Sequence, residues 1–230
     1  MQIKEEEMEN TMERRSFLKE LTVAGGAIAT MGLTGCASGL ADTGNSDDAG
    51  SEGAAMPAID EKLLAKLQAL LAKDEIREKI VIYARSMDRI DRELGYSIFA
   101  KDSFLDYGDY YQGDGPGFVD ITLDYHETVI AHQHHMNNIT IEVKGDKAYA
   151  ETYVDMVMRL PMEDGSLLAQ NVHGRYFDEW VYENDGWFLK TRSFVRDLGT
   201  GEILDPSEDL GTTGGARDKS DPSYTLFAQA

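Results

Sequence analysis

The sequence predicts an α+β domain in which helices come first and an antiparallel meander follows. Three observations predict it. Apolar residues recur at helical spacing between residues 60 and 90. Beyond about residue 131 the pattern changes to apolar–polar alternation. The alternating runs are separated by three Asp-containing turns, Gly145-Asp146, Glu163-Asp164-Gly165 and Asn184-Asp185-Gly186. Helices followed by a meander bury their apolar stripes against one sheet face.

Asp60 is placed to cap a helix through Leu63, Leu64, Leu67, Leu70 and Leu71. Asp74 is placed to cap a second, with Ile76, Ile80, Tyr83, Met87 and Ile90 within roughly 80° of one another. Asp88 lies about 120° from the centre of that stripe, beside Val81 and Ala84. A carboxylate on such a partly apolar flank can look into a cavity. Residues 95–117 read as a short helix followed by a loop, and Phe118 to Ile130 is ambiguous, with a short helix as one reading. Ile139, Ile141 and Val143 lead to the first turn. Strands then run from Lys147 to about Leu160, from about Leu167 to Tyr182, and from Trp187 to about Val195.

The chain has 230 residues, 42 acidic against 22 basic, a net charge of -20, and a single cysteine. Such acidity argues against nucleic-acid binding, which needs a basic footprint. One cysteine excludes an intrachain disulfide framework and a Cys-rich zinc site. No apolar run approaches the roughly 20 residues of a membrane-spanning helix. Gly113-Asp114-Gly115-Pro116-Gly117 fits neither a phosphate loop nor a dinucleotide fingerprint. No nucleotide cofactor is therefore expected.

The N-terminus reads as an address. Arg14-Arg15-Ser16-Phe17-Leu18-Lys19 resembles a twin-arginine export signal. A weakly apolar stretch from Leu21 to Leu33 follows, and Leu33-Thr34-Gly35-Cys36 resembles a lipobox with Cys36 as the lipidated residue. The expected organisation is a signal peptide over 1–35 and a flexible tether over 36–57. A folded domain over 58–198 and a loosely ordered tail over 199–230 follow. Removal of 1–35 leaves a charge of -18, so the acidity belongs to the mature chain. The expected location is the extracytoplasmic face of the cell envelope, with membrane contact only through Cys36.

Among polar residues, His132-Gln133-His134-His135 forms the densest cluster, with Asn138 close behind. In an unbroken strand His132, His134 and Asn138 point one way, opposite to Ile139 and Ile141. A His-x-His pair suits metal ligation, a ligand-contacting or catalytic role, or a bland histidine cluster. The third ligand of a zinc site is not evident nearby. Arg192 shares a strand face with Phe188 and Phe194, where it either snorkels or is buried against a carboxylate. Tyr83 lies on the apolar stripe. Asp155 and Arg159 share one face, and His173 and Arg175 could face either way.

Five segments, in order, carry a family resemblance. They are Ile80-Val81-Ile82-Tyr83-Ala84-Arg85-Ser86-Met87-Asp88-Arg89-Ile90-Asp91, His134-His135-Met136-Asn137-Asn138-Ile139-Thr140-Ile141, Gly145-Asp146-Lys147-Ala148, Gly174-Arg175-Tyr176-Phe177-Asp178, and Asp185-Gly186-Trp187 followed by Arg192. Over roughly 60–198 the chain resembles the SnoaL-like branch of the NTF2-like superfamily. The resemblance implies a cone, a curved antiparallel sheet wrapped around helices and enclosing an apolar pocket. The eliminating enzymes of the family include scytalone dehydratase, bile-acid 7α-dehydratase and hexachlorocyclohexane dehydrochlorinase, and they use a histidine base commonly supported by an aspartate on the long helix. Asp88 matches that aspartate and His134 the histidine. Arg192 matches an arginine of the dehydrochlorinase, and Tyr83 a tyrosine of the bile-acid dehydratase.

On that basis His134, Asp88, Tyr83 and Arg192 are the expected catalytic set. Tyr107, Asn138, Asp155 and His173 are the expected substrate contacts. Asp88 would fix the tautomer of His134 and strengthen it as a base. Tyr83 and Arg192 would stabilise a developing oxyanion or departing hydroxide. The resemblance implies a dehydration or isomerisation, needing neither cofactor nor metal, of a small apolar hydroxy- or keto-substrate of steroid, bile-acid or polyketide type. A non-catalytic ligand-binding lipoprotein and a ketosteroid-type isomerase are the alternatives. Family members often pair through the outer sheet face, so a homodimer is consistent with the resemblance.

Overall fold

A helix of 28 residues opens the computed structural model, which describes residues 60–209, 211 and 213–229. The twin-arginine motif, the tether and Cys36 lie outside the described residues. The chain divides into two units, residues 1–66 and 67–230. Of the first, only the opening turns of the long helix are described. The second holds the sheet and the candidate active site.

Helix α1 runs over Glu61–Asp88 without a break. The two helices expected from Asp60 and Asp74 are therefore one. Neither Gly nor Pro interrupts 61–88, so nothing ends the first helix at Leu71, and Asp74 is an interior residue. Burial is concentrated in its C-terminal half, at Ile76, Ile80, Tyr83 and Met87, each no more than 2% exposed, whereas Leu63 and Leu70 are exposed. The helix ends where Ile90, with φ 49°, reverses the chain. The N–H of Asp91 donates to Ser86 O at 2.9 Å and that of Ile90 to Met87 O at 3.3 Å, a Schellman closure. A β-branched residue in this left-handed position is uncommon and stores strain beside Asp88.

Helix α2 spans Arg92–Tyr96, and Asp91 caps it by accepting from the N–H of Leu94. Strands β1 (Phe99–Asp106) and β2 (Gln112–Gly113) come next. Helix α3 (Gly115–Thr128) begins at Asp114, which accepts from the N–H of Gly117. The segment read as ambiguous is thus helical. Strands β3 (Ala131–Lys144), β4 (Lys147–Pro161), β5 (Leu167–Glu183) and β6 (Gly186–Leu204) form the expected meander. The β5–β6 turn places Asn184 and Asp185 at φ 48° and 62°, the two left-handed residues that a tight hairpin needs.

The six strands are ordered β2-β1-β6-β5-β4-β3. β1 pairs with β6 in parallel, so the sheet is mixed and the meander has one additional parallel neighbour. The stripe of α1 shares a core with Phe118, Val119 and Leu123 of α3 and with Val154, Tyr176, Trp180 and Leu189 of the sheet. Each such buried side chain contributes about 1.5–3 kcal/mol.

Bulges set which way the site residues point. Between Met136 and Ile139 the β3–β4 register shifts. Another shift separates Glu179 from Trp180 on β5, where Thr191 and Leu189 of β6 are the partners and Lys190 is the extra residue. A third falls between His173 and Gly174. There a Cβ on Gly174 would stand 2.4 Å from Val195 O, so only glycine lets the two strands approach.

The C-terminal segment departs from the expected loose tail. β6 continues past residue 198 to Leu204, and helix α4 (Pro222–Phe227) docks beside the end of α1. Tyr224 donates to Asp91 Oδ2 at 2.7 Å, and Arg85 donates to Ser223 Oγ at 2.9 Å while its guanidinium lies over the Tyr224 ring. Arg217 donates to the last carbonyls around α3, to Val129 O at 2.5 Å, to Ile130 O at 3.0 Å and to His126 O. These bonds satisfy groups that a helix end leaves open.

Candidate active site

Two consecutive residues at the end of α1 hold two alternate histidines of β3. Asp88 Oδ1 accepts from His134 Nδ1 at 2.7 Å. The main-chain N–H of His134 donates to both oxygens of the same carboxylate, at 3.0 and 3.2 Å. His132 Nε2 donates to Met87 O at 2.8 Å. Strand alternation turns both histidines to the inner face, and the helix terminus meets them there. Asp88, His132 and His134 are all buried. The carboxylate receives two N–H donors in three contacts, so it acts as an acceptor and holds the proton of His134 on Nδ1, leaving Nε2 with a bare lone pair.

A third histidine completes the cluster. His126, in the last turn of α3, lies with its ring centroid 4.1 Å from that of His132 and 5.6 Å from that of His134. Burial, then the neighbouring His132, lowers the pKa of His126 to about 2. Burial lowers that of His132 to about 4 against the opposing bond to Met87 O. Both rings are therefore neutral near pH 7. His126 was missed in the sequence. The signal was its place on the buried face of α3, one turn after Thr122 and Leu123.

The second half of the site is aromatic. Arg192 is held by Asp178 in a two-pronged pair, Nε to Oδ1 at 2.7 Å and Nη2 to Oδ2 at 2.8 Å, with both side chains fully buried. The guanidinium lies between the rings of Tyr83 and Tyr176, 4.4 and 4.1 Å from their centroids. Burial alone would lower its pKa, but the Asp178 charge more than offsets this and raises it. Arg192 is thus a permanent cation. Its Nη1 is buried and has no partner among the described residues, which leaves one donor to meet a ligand. Tyr83 and Tyr107 share a hydroxyl contact of 3.2 Å, and Tyr107 stacks between Phe118 and Phe194. Asp178 and Tyr176 were not among the expected site residues, although the sequence offered a buried carboxylate as one reading of Arg192.

The catalytic candidates His134, Asp88, Tyr83 and Arg192 are thus buried on the core side, and the contact residue Tyr107 is half-buried against the same core. Three other expected contacts are not. Asn138 is exposed, because the bulge after Met136 returns Ile139 and Ile141 to the inner face and removes Asn138 from the face of His134. Asp155 and His173 pair across β4 and β5 on the outer face, opposite the buried Val154 and Val172. His173 Nδ1 lies 2.6 Å from Asp155 Oδ1, and Asn137 donates to Oδ2 at 2.8 Å. The hydrogen bond from His173 holds the Asp155 carboxyl below its usual range. Likewise the bulge at Lys190 puts Phe194, and not Phe188, on the face of Arg192.

The comparisons agree with this architecture. A putative scytalone dehydratase from Novosphingobium aromaticivorans has a TM-score of 0.51 and 22% identity, covering 63% of this chain and 96% of that one. A hexachlorocyclohexane dehydrochlorinase, LinA-type3 from Novosphingobium barchaimii, has a TM-score of 0.55 and 14% identity, over 64% of this chain and 98% of that one. An NTF2-like protein with a cystatin-like fold, also from Novosphingobium aromaticivorans, has a TM-score of 0.50 and 21% identity, over 60% and 90%. At such identities the likeness shows the fold. No curated protein matches the chain in sequence. The family model described as SnoaL-like domain matches residues 68–193, which is more than half of the chain. The chain belongs to the SnoaL-like domain family.

Proposed function

We propose that this chain is an exported, lipid-anchored SnoaL-like lyase that eliminates water from a small, fairly apolar substrate carrying a hydroxyl β to a carbonyl, with His134 as the base. The observation that carries this reading is the Asp88–His134 contact, 2.7 Å from Oδ1 to Nδ1. It leaves His134 Nε2 able to take a proton from the carbon next to a carbonyl. The C–H electron pair becomes the new double bond, and hydroxide leaves with its bonding pair. Arg192 Nη1 and the Tyr83 hydroxyl supply positive charge and hydrogen bonding for the oxygen that gains charge. The aromatic wall of Tyr83, Tyr107, Tyr176 and Phe194 suits a steroid, bile-acid or polyketide-type skeleton. An aspartate-base isomerase is less well supported, because the Asp88 carboxylate already accepts from both the main-chain N–H and the ring Nδ1 of His134.

The test is a substrate screen that follows new conjugated double bonds by absorbance. Turnover that falls by about 10²- to 10⁴-fold in His134→Ala supports the assignment. Turnover unchanged in that variant removes the base, and tight binding without turnover makes the chain a ligand-binding module. For the anchor, Cys36→Ala is expected to release the protein from membranes. Continued membrane association in that variant rejects lipidation there.

A further inference from the structure

The histidines of β3 have one valence that the proposed reaction does not use. His132 Nε2 lies 2.8 Å from Met87 O, and a carbonyl only accepts, so Nε2 carries the proton and Nδ1 is a bare lone pair. That Nδ1 is buried and has no partner among the described residues. An unmet buried acceptor costs about 1–3 kcal/mol, so a site that leaves one open invites a ligand. An imidazole with one nitrogen bonded to a backbone carbonyl and the other bare is the arrangement in which histidines hold metal ions. Two further donors stand beside it. One ligand atom from each of Asp88, His132 and His134 falls within 4.8 Å of the others, and all three residues are buried.

We propose that Asp88, His132 and His134 form a binding site for a divalent transition-metal ion of the zinc type. Two imidazoles and one carboxylate suit borderline ions such as zinc, whereas magnesium and calcium ask for an all-oxygen set. Ligand atoms on a tetrahedral zinc stand about 3.4 Å apart, so side-chain rotations of about an ångström close the triad. His132 is already oriented by Met87 O. His134 exchanges part of its bonding with Asp88 for the metal. Three protein ligands leave one coordination position open to water or to a ligand from the core side. The ion takes the carboxylate and imidazole groups that otherwise hold and accept the proton, so an occupied site has no free base. The inference rests on donor geometry and does not require the elimination chemistry.

The full-length chain, stripped with a chelator, is titrated with Zn²⁺ against a chromogenic competitor while the imidazole NMR signals are followed. The rival site is on the outer face, where His135 stands across from Asp155 and His173 bonds it. The expected result is one ion per chain, with the His132 and His134 signals shifted and those of His135 and His173 unmoved. His132→Ala is expected to weaken binding by more than about 100-fold, beyond the loss typical of an outer-shell change, and His173→Ala by no more than about twofold. The wild-type NMR readout stands even where His132→Ala does not fold. No bound zinc, zinc on His135 and His173, or an affinity unchanged by His132→Ala each overturns the proposal. Binding is read without substrate, so zinc binding with no lyase activity removes only the function proposed above.

Discussion

Asp88 grips His134 at two points, accepting from its ring Nδ1 at 2.7 Å and from its own main-chain N–H at 3.0 Å. The carboxylate therefore fixes both the strand and the ring that the strand carries. Asp88→Asn retains one acceptor oxygen but presents an N–H where the second was. It is expected to preserve the fold, because the amide can still accept from the main chain. The ring loses its tautomer preference, and turnover falls by roughly 10²- to 10⁴-fold. Imidazole ¹⁵N shifts check this without a substrate. Wild type should show a protonated Nδ1 and a bare Nε2 on His134, and the variant a mixture. An unchanged pattern means that Asp88 does not set the tautomer.

The Arg192–Asp178 pair is fully buried, so removing one partner strands the other charge. Asp178→Ala is expected to lower unfolding stability by about 3–5 kcal/mol, measured by denaturant titration. Replacing both residues with apolar ones of similar size should recover most of that loss. The double variant separates structure from chemistry. If it folds well but has lost turnover, Arg192 acts in the reaction as well as in the core. Full turnover removes Arg192 from the catalytic set.

The histidine cluster makes stability depend on pH. His126 and His132 have pKa values lowered by burial to about 2 and about 4, below the unfolded value of 6.5. Between pH 6.5 and 4 the unfolded chain binds more protons at these sites, so stability is present above pH 6.5 and is lost as pH falls through that window. Two groups at about 1.4 kcal/mol per unit give a loss of about 5 kcal/mol by pH 4.5. His126→Phe should remove about half of that slope in thermal melts over pH 7.5 to 4.5. A melt as steep as wild type means His126 is not the group that titrates.

Much of this arrangement was legible in the sequence, and the misses have a common cause. Helical spacing exposed the α1 stripe, and Asp–Gly turns marked the hairpins, because both are local. Alternation put His132 and His134 on one face correctly. It failed at Asn138 and Phe188 because one extra residue in a bulge inverts every side chain beyond it, and no local signal marks the bulges after Met136 and at Lys190. β1 was missed because Phe99–Asp106 alternates poorly and is defined by its pairing with β6, which is distant in sequence. Asp74 looked like a cap because cap chemistry is equally at home on an exposed helix flank. His126 became visible only when α3 was folded back onto β3.

Asp155 and His173 give the simplest check on that corrected register. Their side chains are 37% and 41% exposed on the outer face, and their pair is open to solvent. Asp155→Ala and His173→Ala are expected to leave turnover within about twofold and to change stability by about 0–1 kcal/mol. A larger loss of turnover in His173→Ala would put this pair back into the site.

The strap formed by Arg217 carries the last expectation. Its guanidinium donates to Val129 O at 2.5 Å, to Ile130 O at 3.0 Å and to His126 O, so it closes the end of α3 just where His126 joins the histidine cluster. Burial lowers its pKa, with the charge of Asp88 opposing. Arg217→Met keeps the length and removes the donors, leaving three carbonyls to find water. Hydrogen bonds from a charged donor are each worth about 1.5–3 kcal/mol at most, and partial exposure discounts them, so a net loss of about 2–3 kcal/mol is expected. Hydrogen exchange should quicken first at His126–Ile130 and in residues 213–229, before the sheet is affected, because the strap is the local tie between them. Uniform loss of protection across β4 and β5 would instead make Arg217 part of the global core, and unchanged protection would leave the tail held by Tyr224, Arg85 and the Arg89–Asp221 pair.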